Sequence, residues 1–121
     1  MKVLNVDDNK LITEALEFAF QALGHDFSFT NSGKDAVEMI RNNSYDAVFL
    51  DVAMPEFSGT DVIKELDTTG SIKDYNIVLL TASTIDDDEM KWFIEKGVRG
   101  VIKKPIDITR LEKEISEIFS P

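Results

Sequence analysis

The chain has 121 residues, 43% of them hydrophobic, and carries 13 basic against 23 acidic residues, a formal net charge of −10. We predict one domain over residues 1–121, since this length is typical of a single hydrophobic core. The negative charge argues against nucleic acid or an anionic membrane as a direct partner. Cysteine is absent, which excludes disulfides and thiolate metal sites. The start is too short and too soon acidic for a signal peptide, so we expect a cytoplasmic protein.

Predicted strands and helices alternate along the whole chain. The strands are apolar runs or alternate in the β manner, and the helices carry apolar residues three and four positions apart. The predicted strands cover residues 2–6, 26–30, 47–50, 76–80 and 98–103. The predicted helices cover about residues 10–23, 34–41, 60–66, 86–96 and 108–119. This alternation with short connections indicates an α/β fold, a doubly wound five-stranded parallel sheet with helices on both faces.

The third strand gives the first candidate functional residue. Ala47–Leu50 is an unbroken apolar run, typical of a strand that is buried on both faces of a parallel sheet. The run ends at Asp51, and Pro55 prevents the strand from continuing. Ligands bind at the carboxyl ends of the strands in open α/β sheets, so Asp51 is placed where chemistry is expected.

Four of the predicted strands end in polar side chains. These are Asp7 and Asp8 after the first strand, Asp51 after the third, Thr81 at the fourth and Lys104 after the fifth. If the strand order is 2-1-3-4-5, the first and third strands are neighbours and the three carboxylates converge. Two such charges about 4 Å apart repel by roughly 4 kcal/mol at an effective dielectric near 20, so the cluster needs a cation. Carboxylate oxygens without histidine or cysteine suit Mg²⁺.

Together these residues resemble the receiver domain of two-component response regulators over the whole chain. The resemblance lies in the acidic pair, the Asp-x-x-Met-Pro stretch with a later glycine, Thr-Ala after the fourth strand and Lys-Pro after the fifth. It implies a flavodoxin-like fold with strand order 2-1-3-4-5. It also implies that Asp51 accepts a phosphoryl group from the phosphohistidine of a histidine kinase. The implied Mg²⁺ ligands are Asp7, Asp8, Asp51 and the backbone carbonyl of Ala53.

The residue types suggest how such a site would act. Asp51 would be the nucleophile that forms an acyl phosphate. Lys104 would offset charge on the phosphoryl oxygens, and the Thr81 hydroxyl would donate a hydrogen bond to one of them. Lys104 is preferred to Lys103 because it directly precedes the proline and shares the parity of the inward-facing residues. We therefore expect a switch that catalyses only its own phosphorylation and dephosphorylation, not an enzyme acting on other substrates.

The sequence departs from the family pattern at several places. Many receivers carry an aromatic residue where Val101 stands, so the usual coupling between site and surface is in question here. Ala53 and Ser83 should flank the acyl phosphate, and both are small. The apolar residues of the fourth helix spread over a wide arc, which predicts an exposed patch there. In receivers the fourth helix, fifth strand and fifth helix form the output surface, so we expect an unidentified protein partner.

Two alternatives remain open at this level. One is a Mg²⁺-dependent phosphatase with an aspartyl-phosphate intermediate, although such enzymes usually need a second acid where Ala53 stands. The other is a receiver-like binding module that is never phosphorylated. For the oligomeric state we expect a monomer or a weak homodimer.

Overall fold

The computed structural model describes residues 1–82 and 84–119. The strands are β1 (Lys2–Val6), β2 (Asp26–Thr30), β3 (Ala47–Leu50), β4 (Ile77–Thr81) and β5 (Gly100–Lys103). The α-helices are α1 (Lys10–Ala22), α2 (Gly33–Asn42), α3 (Gly59–Asp67), α4 (Asp87–Lys96) and α5 (Ile108–Phe119). A single turn of 3₁₀ helix over Ile72–Tyr75 precedes β4.

All five strands form one parallel sheet in the order β2-β1-β3-β4-β5. In the register, Val6 pairs with Thr30 of β2 on one side and with Leu50 of β3 on the other. The residues that follow these positions therefore leave the sheet at the same edge. The predicted fold class and strand order are confirmed.

The sheet separates two hydrophobic cores, and alternate residues of each strand face opposite cores. In β3, Val48 and Leu50 pack with α2, α3 and α4, whereas Phe49 packs with α1 and α5. Phe20 of α1 is completely buried, and its ring centroid lies 5.5 Å from that of Phe49. By the same alternation, Asp51 belongs to the side of the sheet that α1 and α5 cover.

All five α-helices of the described residues begin with capping side chains, including Ser32 at α2 and Asp107 at α5. Asn9 accepts hydrogen bonds from the first turn of α1, and Asp86 accepts one from the first turn of α4. Ser58 and Asp61 form a capping box at the start of α3, in which each side chain accepts from the backbone of the other. These caps define the starts of the helices that follow the strands.

The structure differs from the predicted elements in detail. β5 begins at Gly100 and not at residue 98, and the 3₁₀ turn was not predicted. In α1 the side chains of Leu11 and Phe18 are 77% and 79% exposed. No helix in the described ranges combines the length and the apolarity that a membrane crossing requires.

Candidate functional site

The ends of β1 and β3 are aligned by backbone hydrogen bonds. The Asp51 N–H donates to the Val6 carbonyl at 2.9 Å, and the Asp7 N–H donates to the Thr30 carbonyl at 3.2 Å. Both bonds continue the parallel pairing one residue beyond the strands. The two aspartates are therefore held at the switch point between β1 and β3, where ligands bind in such sheets.

Gly59 lets the start of α3 approach the backbone of Asp51. A Cβ atom at this position would lie 2.6 Å from the Asp51 carbonyl oxygen and 2.8 Å from the Val52 Cα. The Gly59 N–H also donates to the Val52 carbonyl at 3.0 Å. Only glycine fits here without moving the backbone that carries Asp51, which explains the glycine noted in the sequence after the proline.

The structure brings the three predicted carboxylates together. Asp7, Asp8 and Asp51 each offer one carboxylate oxygen, and these three oxygens lie within 4.8 Å of one another. Asp7 is 1% exposed and Asp51 is 6% exposed, whereas Asp8 is on the surface. The cluster therefore has two buried acids and one acid open to solvent.

Lys104 lies between the two buried acids. Its Nζ is 2.5 Å from Asp7 Oδ2 and 3.9 Å from Asp51 Oδ1, and its side chain is 9% exposed. Its backbone N–H donates to the Thr81 carbonyl at 3.0 Å, which joins the ends of β4 and β5. Lys103, by contrast, is exposed. The side chain of Lys104 thus occupies the position at the cluster that the parity argument predicted.

The environment of Asp51 raises the pKa of its carboxyl to about 6. Burial is the main cause, and the negative charges of Asp7 and Asp8 add to it. The Lys104 ammonium and a hydrogen bond from the Ala53 N–H act in the opposite direction. At pH 7, above this pKa, the carboxylate form of Asp51 predominates.

Two further predicted site residues, Thr81 and Ala53, lie near the same edge of the sheet. Thr81 is the last residue of β4 and is 1% exposed. Ala53 is exposed, and its backbone N–H donates to the Asp51 carboxylate; the prediction concerned its carbonyl instead. Ser83 lies outside the described residues.

Two asparagines at the site were not recognised in the sequence. The Asn9 N–H donates to Asp7 Oδ1 at 2.9 Å, and the Asn31 side-chain amide donates to the Asp7 carbonyl oxygen at 2.6 Å. Asn31 directly follows the last residue of β2, and Asn9 directly follows the acidic pair after β1. Their position at the carboxyl ends of strands, which the aspartates share, could have identified them in the sequence.

The donor set fits a hard divalent cation. Three carboxylates supply oxygen ligands, and no histidine or cysteine belongs to the cluster. Asp8 opens the cluster to solvent, which suits Mg²⁺ because this ion retains several water ligands. Each Asp7 oxygen already accepts one hydrogen bond and keeps a further lone pair for a metal, so all three carboxylates can contribute a ligand.

Comparison with known proteins identifies the family. The sequence profile of the response regulator receiver domain matches residues 3–116. The chain belongs to the response regulator receiver domain family. The hybrid signal transduction histidine kinase L of Dictyostelium discoideum is 36% identical over 124 residues, an alignment that covers 98% of this chain and 7% of that protein. The response regulator MprA of Mycobacterium leprae is 31% identical, with 98% and 51% covered.

Solved structures of receiver domains share the fold. The chemotaxis protein CheY4 of Vibrio cholerae superposes with a TM-score of 0.85 at 24% identity, covering 98% of both chains. The receiver domain of the sensor histidine kinase PA1611 from Pseudomonas aeruginosa superposes at 0.80 with 23% identity and 98% of both chains covered. That structure holds a magnesium ion in its active-site cleft.

Family membership bears on the acidic edge, the strand ends that carry Asp7, Asp8 and Asp51. Receiver domains take part in two-component signalling with histidine kinases and bind Mg²⁺ at an acidic pocket, and this receiver domain has an acidic cluster at the carboxyl ends of β1 and β3. The chain spans about half of the MprA protein and a small part of the histidine kinase. The receiver domain thus occurs in proteins of different lengths.

Proposed function

We propose that this receiver domain accepts a phosphoryl group on Asp51 in a Mg²⁺-dependent reaction, with the phosphohistidine of a histidine kinase as donor. The observation that carries the proposal is the convergence of three carboxylate oxygens within 4.8 Å beside a buried ammonium. Of the three acids, Asp51 is the one that is buried at the end of the central strand. The Lys104 ammonium is 3.9 Å from Asp51 but pairs more closely with Asp7, so the Asp51 carboxylate remains available to react.

The reaction is a displacement at phosphorus. A carboxylate oxygen of Asp51 forms the new O–P bond while the P–N bond to the donor imidazole breaks, and the imidazole leaves with the electron pair of that bond. The product is an acyl phosphate, and attack by water later returns Asp51 and inorganic phosphate. Because the transfer is mainly a matter of positioning and charge, the residues around Asp51 act by holding it and by offsetting charge.

Each side chain of the edge has a defined part in this proposal. Asp7, Asp8, Asp51 and the Ala53 carbonyl would hold Mg²⁺, which when bound neutralises charge on the phosphoryl group. Lys104 now pairs with Asp7, and a short movement of its ammonium would bring it onto a phosphoryl oxygen. The Thr81 hydroxyl would donate a hydrogen bond to another of these oxygens.

The surroundings of the site offer a docking surface for a protein donor. An apolar cleft of about 390 Å³ opens beside Lys104, between α1 and the loop that joins β5 to α5. Its lining includes Ile12, Ala15 and Pro105. An apolar surface next to a charged site is suited to the docking of a protein helix that carries the phosphohistidine.

We further propose that phosphorylation changes the surface of α4, β5 and α5 and so controls an unidentified protein partner. In α4 only Phe93 is buried among the described residues, while Ile94 is 49% exposed. Trp92 and Val101 pack only partly against the core. A surface with few buried side chains can be rearranged at low cost, which suits a switch. We propose that the switch acts as a monomer or a weak homodimer in the cytoplasm.

Incubation with acetyl phosphate tests the proposal. With Mg²⁺ the intact mass should increase by one phosphoryl group, and a chelator should prevent the increase. Turnover of p-nitrophenyl phosphate should stay at background, because the domain is proposed to act only on its own aspartate. Steady turnover would indicate a phosphatase, and an unchanged mass despite bound Mg²⁺ would indicate a binding module that is not phosphorylated.

A further inference from the structure

Both backbone polar groups of Asp7 are held by the end of β2. The Asp7 N–H donates to the Thr30 carbonyl at 3.2 Å, and the Asp7 carbonyl accepts from the Asn31 side-chain amide at 2.6 Å. Asp7 lies one residue beyond β1, where the sheet pairing ends. The Asp7 carbonyl therefore accepts its hydrogen bond from the Asn31 side chain and not from a neighbouring strand.

The carbonyl of Asp7 belongs to the peptide group that joins Asp7 to Asp8. A peptide group is planar, so holding its oxygen also determines the direction in which the chain continues to Asp8. Asp8 is exposed, and burial therefore does not determine where its carboxylate points. Two of the three carboxylates of the cluster depend on the orientation of this one peptide group.

A second hydrogen bond anchors the Asn31 amide to α1. Its Nδ2 lies 3.5 Å from Thr13 Oγ1, and the Thr13 hydroxyl donates to the Asn9 carbonyl at 3.0 Å. Asn9 in turn donates its N–H to Asp7 Oδ1. The two hydrogens of the amide therefore have two acceptors, and the turn from Asp7 to Asn9 is held from both sides.

We propose that Asn31 is a positioning residue for the Mg²⁺ ligands: its side-chain amide holds the Asp7–Asp8 peptide group and thereby sets the affinity of the site for Mg²⁺. This inference rests on the proposed function, since it concerns the same metal. Asn31 touches neither the phosphoryl group nor the metal in this proposal. It acts through the backbone of the two aspartates.

Two substitutions of Asn31 distinguish this role from a general electrostatic one. Asn31→Ala removes the amide without changing the charge. Asn31→Asp keeps the shape but places an oxygen against the Asp7 carbonyl and adds a negative charge near the metal. If only charge mattered, the aspartate would bind Mg²⁺ more tightly. If positioning matters, both variants bind it more weakly.

The matched control is Asn43, whose side-chain amide donates to the Met39 carbonyl at 2.9 Å, at the end of α2 and away from the cluster. Asn43→Ala and Asn43→Asp remove the same kind of bond and change the charge equally. They should leave the affinity for Mg²⁺ unchanged.

The experiment is a Mg²⁺ titration of the full chain, followed by the NMR shifts of the Asp8 and Asp51 amides. Residues that orient metal ligands typically change the affinity by 10-fold or more, so we expect the Kd of Asn31→Ala to rise about 10-fold and that of Asn31→Asp to rise as well. The rate of phosphorylation by acetyl phosphate should fall at low Mg²⁺ and return towards the wild-type rate at saturating Mg²⁺. A structural defect alone would not be corrected by the metal.

The outcomes separate this inference from the proposed function. Wild-type protein that binds Mg²⁺, together with Asn31 variants whose Kd values stay within 2-fold of it, would overturn the inference and leave the proposed function intact. Tighter binding by Asn31→Asp would overturn it too. Wild-type protein that shows no Mg²⁺-dependent shifts would overturn both.

Discussion

The acidic edge and α4 are held in very different ways. At the edge, Asp7 alone takes part in four hydrogen bonds or ion pairs, with Thr30, Asn31, Asn9 and Lys104. In α4 Phe93 is the one buried side chain among the described residues. The chemistry is thus placed on strand ends with little freedom, and the proposed output surface on an element with few buried contacts.

This difference shows how one small domain can serve two purposes. Phosphoryl transfer depends on exact placement of a few charged groups, which a buried and hydrogen-bonded edge provides. A switch needs an element whose rearrangement costs little, and segments with few buried apolar contacts have the lowest local stability. If the comparison is right, changes at the edge should alter the chemistry or the stability strongly, and changes on α4 only weakly.

The largest effect is expected from Lys104→Ala. The substitution removes the ammonium that is 3.9 Å from Asp51 Oδ1, so charge on the phosphoryl oxygens is no longer offset. We expect phosphorylation by acetyl phosphate to slow by about 10²-fold, as when one stabilising donor is removed from an active site. The control is Lys103→Ala, which changes an exposed neighbour and should keep the wild-type rate. Equal rates for both variants would remove Lys104 from the mechanism.

Gly59→Ala tests how tightly the backbone of Asp51 is held. The new Cβ would lie 2.6 Å from the Asp51 carbonyl, so the start of α3 or the strand end must shift. We expect a loss of about 2 kcal/mol in the free energy of unfolding and a fall in Tm of roughly 6–12 °C. Gly70→Ala is the control, because its Cβ would meet the end of the movable Tyr75 side chain. A Tm unchanged by Gly59→Ala would show that this edge yields easily.

Asp51→Asn should stabilise the metal-free protein at neutral pH. The pKa of Asp51 is raised to about 6, so protonation of its carboxyl is more favourable in the folded protein than in the unfolded chain. The stability that this protonation provides is present below about pH 4 and is lost as the pH rises through about 6. We expect the variant to exceed the wild type by about 1–3 kcal/mol at pH 7 and to match it near pH 4.

Urea unfolding of both proteins in the presence of a chelator, at several pH values, measures this difference. Acidic groups outside the cluster contribute equally to both proteins, so the difference reports on Asp51 and its repulsion with Asp7 and Asp8. An Asp51→Asn protein that is clearly less stable at pH 7 would mean that the carboxylate has a structural role.

The smallest effect is expected at α4. Trp92 is half-buried, and its ring lies 5.8 Å from the Lys96 ammonium. Saturation with Mg²⁺ and beryllofluoride, an analogue of the phosphoryl group, should produce a modest change in Trp92 fluorescence. The Asp51→Asn variant should show none. Emission that is identical with and without the analogue would place the switch elsewhere in the domain.

The sequence was sufficient to identify the five strands, with bounds that differ by one or two residues at β4 and β5, and the charged residues of the edge. The apolar run before Asp51 and the proline after it predict a buried parallel strand. Both signals are local in the sequence, so no knowledge of tertiary contacts was needed. Lys104 was distinguished from Lys103 by strand parity, which is also local. The acidic cluster then follows from strand order.

The parts that depend on tertiary packing could not be obtained in this way. Phe18 and Phe20 are equally apolar, yet one is 79% exposed and the other is fully buried, because the rotation of α1 on the sheet decides between them. The 3₁₀ turn at Ile72–Tyr75 is too short to show a period. Asn31 could not be linked to the site from local sequence, because its partner Asp7 is 24 positions away in the chain.

The measurement that tests the central claim most directly is the location of the phosphoryl group. After incubation with acetyl phosphate and Mg²⁺, borohydride reduces an aspartyl phosphate to homoserine, which peptide mass spectrometry can place in the chain. We predict the label on Asp51 alone, labile in base, and no label in Asp51→Asn. Stable phosphate on Thr81 or Ser83, a reduced Asp7 or Asp8, or a label that persists in Asp51→Asn would contradict the assignment of Asp51 as the phosphoacceptor.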